Sequence, residues 1–303
     1  MTYAQYGLIQ AADYNNFTGL SSSVSTGANQ LNTILGVGNG NAGYGQTVVP
    51  TVTVGNVVSH SNWQSLIYGY TALGNHQSTA ITATTVPVQG AKIEVLNPIS
   101  TNLTSLYTNR LNAASQAAST AYTTTNATTW ASAITFTHTI TFASANHARY
   151  FFNSGGKIRF FSERTGGTAS GQNTSWTSLL SSVGTVEFGA NIPVIENFYT
   201  LTNAYQTIYQ LGSTPYYSSN YFKIEAKNLE VADNSSGGAS TLRFLITWQD
   251  DYTDGGPPPP GDNIDGTLSL AVTEYKAADN TGTGTFKIES PTAYNLISAI
   301  SAT

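Results

Sequence analysis

The sequence predicts an α+β chain: a helical N-terminal region with a small β-hairpin, then an antiparallel β-sandwich of jelly-roll type. Three observations carry this. Apolar residues recur every three or four positions through the first 120 residues, and after Trp130 the period drops to two. The segments that follow are short and separated by turn clusters such as Asn153-Ser154-Gly155-Gly156.

The elements follow in order. From Asp13, read as an N-cap, the residues Phe17, Leu20, Val24, Ala28, Leu31 and Leu35 mark one helical face that stops at Gly36. The β-branched runs 48–54 and 57–58, joined by Gly55-Asn56, read as a hairpin. Trp63, Leu66, Ile67, Tyr70 and Leu73 mark a second helix, with Ser61 to cap its start and Gly74 its end. Asn97-Pro98 opens a third, whose apolar set is Ile99, Leu103, Leu106, Tyr107 and Leu111. Residues 1–121 thus form a helical assembly region, the Thr/Ala-rich 122–130 a linker, and 131–303 the sandwich. In the sandwich, Ile134, Phe136, His138, Ile140 and Phe142 alternate with threonines in a half-buried strand. Further strands are expected at 149–152, 157–162, 184–188, 194–201, 205–211, 221–230, 241–249, 266–275 and 284–289. The run Gly255-Gly256-Pro257-Pro258-Pro259-Pro260-Gly261 reads as a stiff exposed loop.

Charge is scarce. Lys and Arg number 11 and Asp and Glu 16, or 9% of 303 residues, against roughly 25% in ordinary domains. A net charge of −5 excludes the basic footprint of a nucleic-acid binder. No apolar run is long enough to span a membrane, and the N-terminus lacks the pattern of a signal peptide. Without Cys there are no disulfides, thiolate metal sites or Cys nucleophiles. Residues 1–120 hold four charged side chains, Asp13, Lys92, Glu94 and Arg110. So neutral a stretch is expected to lie against other protein surfaces. Leu20, Val24, Leu31, Leu35, Trp63, Leu66 and Tyr70 are its candidate interface residues, buried within or between subunits.

Two segments resemble structural proteins of tailed-bacteriophage virions: tail, neck, baseplate and fibre-associated components. The first runs from Leu31-Asn32-Thr33-Ile34-Leu35-Gly36 through Gly43-Tyr44-Gly45-Gln46 and Val54-Gly55-Asn56-Val57-Val58 to Trp63-Gln64-Ser65-Leu66. The second is His147-Ala148-Arg149-Tyr150-Phe151-Phe152-Asn153-Ser154-Gly155-Gly156-Lys157-Ile158-Arg159-Phe160. It continues through Gln172-Asn173-Thr174-Ser175-Trp176 and Tyr205-Gln206-Thr207-Ile208-Tyr209 to Asp265-Gly266-Thr267-Leu268-Ser269-Leu270. The resemblance implies a virion part assembled in the host cytoplasm, acting as a homo-oligomer beside other virion proteins, with threefold symmetry favoured. It carries no catalytic signature. Assembly through obligate interfaces accords with a surface depleted in charge.

Gly38-Asn39-Gly40-Asn41-Ala42-Gly43 matches the dinucleotide fingerprint formally, but a helix precedes it and strands follow, so it reads as a connector. Asp250, Asp251, Asp254, Asp262 and Asp265 flank the proline loop and are calcium candidates, although neither run completes the EF-hand spacing. A solvated acidic loop is the plainer reading. Asp251 or Asp265 would serve a polysaccharide depolymerase, the second functional alternative. The first alternative is a glycan-binding receptor-recognition module that uses exposed tyrosines such as Tyr217. Of four histidines, His138 shares an apolar strand face, where core packing outweighs metal binding at a symmetry axis. No cofactor and no catalytic residue is expected.

Overall fold

The computed structural model describes residues 10–19, 30–88, 96–191, 195–252, 263–278 and 297–302; for 96–97 and 297–302 it describes the backbone alone. The chain forms two compact units. One comprises residues 1–117, 149–155 and 277–292; the other comprises 118–148, 156–276 and 293–303. Among the described residues there are six helices and two antiparallel sheets, so the fold is α+β with a sandwich, as the periodicities predict.

The helical unit contains α1 (Ala11–Thr18), α2 (Leu31–Leu35), α3 (His60–Gln77) and α4 (Leu96–Thr108). The expected single helix is interrupted: α1 ends at Gly19, whose φ is +81°, and α2 starts after the extended Gln30, while residues 20–29, with Leu20 and Val24, lie outside the described residues. Asp13 sits in the first turn of α1 rather than at its cap, and its Oδ2 accepts the Gln10 N–H at 3.0 Å. α3 is capped by Ser59, not Ser61. Ser59 Oγ accepts from Asn62 N while Asn62 Oδ1 accepts from Ser59 N, a reciprocal pairing that Ser61 cannot make. Gly74 lies inside α3, where a Cβ would crowd Ile81 and the Thr79 carbonyl; the left-handed terminating residue is Ser78. The helices meet through Tyr14, Leu31, Trp63, Leu66, Tyr70 and Leu103, all essentially without exposure.

The expected hairpin is absent. The turn exists, with Asn56 N donating to Thr53 O at 3.0 Å, but 48–54 joins no ladder. Its backbone is satisfied by side chains instead. Asn32 Oδ1 accepts from Val49 N and Nδ2 donates to Val49 O, at 2.8 and 2.9 Å. Asn15 treats Val52 identically, at 2.9 and 2.8 Å. Asn102 does so for Thr82, at 2.8 and 2.9 Å. A carboxamide offers the donor and acceptor that a neighbouring strand would offer, so each asparagine replaces a strand partner.

Residues 149–152 are helical, not extended: α5 spans Ala145–Asn153. Ser144 Oγ accepts the His147 N–H, and Ala148, Phe151 and Phe152 share one buried face. Arg149 and Asn153, one turn apart, serve the glycine loop of the helical unit. Arg149 donates to the carbonyls of Val37, Gly40 and Ala42 at 3.0, 3.1 and 3.0 Å. Asn153 Nδ2 donates to Gly40 O and Gly43 O. This connector is therefore a built cradle, and its carbonyls point inward. A phosphate-binding loop points N–H groups at an anion, so the polarity here is the reverse.

In the sandwich unit, β1 (Gln116–Ala118), β2 (Tyr122–Asn126), β4 (Lys157–Thr165), β5 (Thr185–Gly189) and β9 (Thr267–Ala277) form one sheet. The other contains β3 (Ala133–Thr141), β6 (Gln206–Gly212), β7 (Tyr221–Asn228), β8 (Thr241–Gln249) and β10 (Ile297–Ala302), in the order β10-β3-β8-β7-β6. The nested pairs β2–β9 and β3–β8 are of jelly-roll kind, while β6, β7 and β8 run as a meander. Residues 122–126, expected as linker, pair with β9 from Tyr122 opposite Val272 to Asn126 opposite Leu268. The sheets interlock through Phe244, whose ring meets Phe160 at 5.0 Å and Phe188 at 5.2 Å, and through Trp248 Nε1, which donates to Ser162 Oγ. A further helix, α6 (Gly171–Val183), packs on β4; Ser170 caps it, and Trp176, Leu179, Leu180 and Val183 form its buried face. The expected strand at 194–201 contains a 3-10 turn at Phe198–Thr200, held by Asn197 Oδ1 accepting the Tyr199 N–H. The run 284–289 and the proline loop lie outside the described residues.

Replacing Arg149 by Met keeps the aliphatic length and leaves three loop carbonyls without their donor. The expected loss is about 3 kcal/mol or more in denaturant unfolding. Arg149→Lys should recover less than half of it, because one ammonium cannot span the fork.

Candidate functional site

The acidic candidates separate. Asp265 is a latch: its carboxylate accepts from Thr168 N at 3.0 Å, from Thr168 Oγ1, from Asn173 Nδ2 and from Arg164 Nη2 at 3.3 Å. Its own N–H donates to Asn173 Oδ1, so the β9 entry and the α6 entry are tied together. The Thr168 backbone donor chiefly, with Asn173, the Thr168 hydroxyl and Arg164, holds this carboxyl below its ordinary range. Asp250 is buried and accepts Gln172 Nε2 at 2.6 Å; burial pushes its carboxyl up. Asp251 is exposed and accepts Gln249 Nε2. Asp254 and Asp262 lie outside the described residues. Among the described residues no three metal-ligating side chains come together.

Beside Asp251 the structure assembles a cluster of tyrosines. Pro215–Tyr217 is a 3-10 turn between β6 and β7, with proline at its start, so Tyr216 and Tyr217 escape the alternation of a strand. Their rings meet at 5.1 Å, and Tyr252 joins them at 4.7 Å from Tyr217 and 6.1 Å from Tyr216. Tyr252 and Asp251 are fixed from below, their N–H groups both donating to Asn220 Oδ1 at 2.9 Å. Gly171 makes room for Tyr217, whose hydroxyl would lie 2.7 Å from a Cβ there. Tyr216 is 75% exposed and Tyr217 half-buried, so the exposed member of the pair is Tyr216 rather than the expected Tyr217. Such a surface offers ring faces, hydroxyls and one exposed carboxylate, the chemistry that stacks on and hydrogen-bonds a pyranose. The sequence held the tyrosines but not their meeting, since Tyr252 is 35 residues beyond Tyr217.

Of the two places expected for the candidate interface residues, the described ones take the interior of the chain. Leu31, Leu35, Trp63, Leu66 and Tyr70 are buried inside the helical unit itself, at most 2% exposed, so they present nothing to a second subunit. The exposed apolar side chains among the unit's described residues include Val54 and Val57, 84% and 86% exposed in and just after the turn 53–56, and Val88. The charged side chains of the helical unit's described residues all engage main chain. Asp13 and Arg149 do so as above, and Arg110 donates to Asn41 O and Tyr107 O at 2.8 Å. Lys92 and Glu94 are outside the described residues.

The histidines also divide. His60 is exposed at the start of α3, and His147 is half-buried on α5. His76 is buried, and because a carbonyl only accepts, its Nε2 carries the proton donated to Ser154 O at 3.1 Å. His138 faces the sandwich interior at 1% exposure, its ring edge-on to Tyr122 at 5.8 Å.

The chain was compared with known protein families, with characterised proteins and with solved structures, and it matches none of them.

Because its folded carboxyl titrates below the unfolded value, Asp265 contributes stability above about pH 4 that is lost as pH falls through its depressed pKa. Melting temperatures taken from pH 5 down to pH 3 should therefore fall more steeply for the natural chain than for Asp265→Asn.

Proposed function

We propose that this chain is a structural subunit of a tailed-bacteriophage virion, a tail, baseplate, neck or fibre-associated part that acts by homo-oligomeric assembly. One observation carries the reading: the described charges of the helical unit are spent on its own backbone, while two valines stand exposed at a turn. A surface of amides, hydroxyls and isolated aliphatics gives little solvation to lose, which suits permanent contact with sister molecules. Because the core of the unit is complete within one chain, each subunit folds before it assembles. The segments quoted above for their resemblance to virion proteins supply the setting. Light scattering after gel filtration should show an oligomer at micromolar concentration. Val54→Asp with Val57→Asp should give a monomer of unchanged melting temperature, since neither side chain supports the core. A natural chain that is monomeric and also missing from purified particles defeats the proposal.

The tyrosine cluster favours a second reading, that the sandwich recognises a host-surface glycan. Saturable binding on a glycan panel should weaken by about tenfold or more in Tyr216→Ala and in Tyr252→Ala, each stacked ring contributing roughly 1 kcal/mol or more. The depolymerase reading is weaker, because Asp265 already accepts from four donor groups.

A further inference from the structure

A sandwich interior normally admits apolar side chains at every inward position, because a polar group there loses water without recompense. Ser162 and Asn228 hold inward positions by hydrogen bonding, but two further polar positions, on opposite sheets, keep a buried atom without such a bond. His138 occupies the inward phase of β3, between Phe136 and Ile140, and Glu274 the inward phase of β9, two residues beyond Val272. They are 1% and 4% exposed. Both line one cavity of about 240 Å³, walled by Ile140, Ile158 and Val272 and entered past Ser119, Thr120 and Tyr122. Within it, His138 Nδ1 and Glu274 Oε1 are buried and make no hydrogen bond. Such atoms have given up hydration without a hydrogen bond in return, so two in the walls of one cavity mark a place kept for a guest.

We propose that this intersheet cavity binds a small organic cation, a primary ammonium on a short aliphatic body.

The chemistry of the orphans selects the guest. An ionised carboxylate only accepts, and a neutral imidazole offers a lone pair, so the complement is a group with several N–H donors and positive charge. Burial lowers the imidazole pKa to about 4, so at neutral pH His138 carries no charge to repel a cation. The same burial pushes the Glu274 carboxyl up, and an incoming ammonium would draw it back down. One ammonium is already attracted: Lys276 Nζ stands 3.7 Å from Glu274 Oε1, too far for a hydrogen bond. The lysine side chain is 28% exposed and flexible, so it can yield to a guest and turn to water. Tyr122, 44% exposed at the entrance, adds a ring face for the cation to pass. Ile140, Ile158 and Val272 then receive the aliphatic body, and the volume, below that of ordinary drug-sized pockets, limits it to a few carbons. A bare metal ion would find two protein ligands in a space far larger than itself, which fits the observations less well.

The inference stands apart from the virion proposal and survives or fails without it. The test titrates the full chain with n-butylammonium, following the His138 Cε1 proton by NMR, with n-butanol and butyrate as isosteres. The expected result is saturable binding of n-butylammonium, at least about tenfold tighter than n-butanol. Glu274→Gln, which keeps the shape, should lose about tenfold or more, while Ile195→Ser, at an exposed position outside the cavity, should bind as the natural chain does. His138→Phe should fill the cavity and abolish binding, its fold checked by melting temperature. Equal binding of butanol and butylammonium would reveal an apolar void and overturn the proposal. So would no saturation at high millimolar concentration, or a shift of the His138 signal by Zn²⁺ alone that butylammonium does not reproduce.

Discussion

One guanidinium fixes the course of the glycine-rich loop on which the helical unit turns. Residues 36–45 contain five glycines, four of them at positive φ, and a chain so permissive has no local reason to choose one path. Arg149 supplies the reason by drawing three carbonyls to one planar fork, and Asn153 adds two more contacts from the next helical turn. Backbone bonds from Tyr44 to Ile34, Gly45 to Gly36 and Gln46 to Leu35 then close the loop onto α2. With the loop placed, Tyr44 can bury its ring against His76 and donate its hydroxyl to the Arg110 carbonyl. Carbonyl dipoles from three residues of the loop thus converge on one cation.

The same economy runs through the molecule. Where another protein would place a strand or an ion pair, this one places an asparagine. Asn15, Asn32 and Asn102 grip extended backbone in the helical unit, and Asn228 and Asn234 hold the Leu201 and Phe198 carbonyls in the sandwich. Amides satisfy buried backbone without the desolvation penalty of charge. Low charge content is thus a structural habit here as well as a property of the surface.

Legibility varied with the range of the cause. α3 and α4 were legible because each carries a long apolar stripe. α6 carried an equally plain signal, Ser170 before Trp176, Leu179, Leu180 and Val183, and went unread among the strand-like segments around it. The stretch 149–152 misled because Arg-Tyr-Phe-Phe suits a strand by composition, whereas Ala148, Phe151 and Phe152 face one way in a helix. Of the candidate sites, the carboxylates were visible as a group, but the donors that occupy Asp265 come from about 100 residues away in β4 and from the start of α6.

By itself the amino-acid order determined the class of fold, the change of period after Trp130 and the scarcity of ions, because these are properties of short windows and of composition. Only the tertiary structure decided which backbone groups needed partners and which side chains supplied them. It turned a predicted hairpin into a segment held by asparagines, made a strand of the Thr-rich 122–126, and brought His138 and Glu274 to face one cavity. Hydrogen-bond satisfaction is settled between residues far apart in the chain, and no local pattern records it.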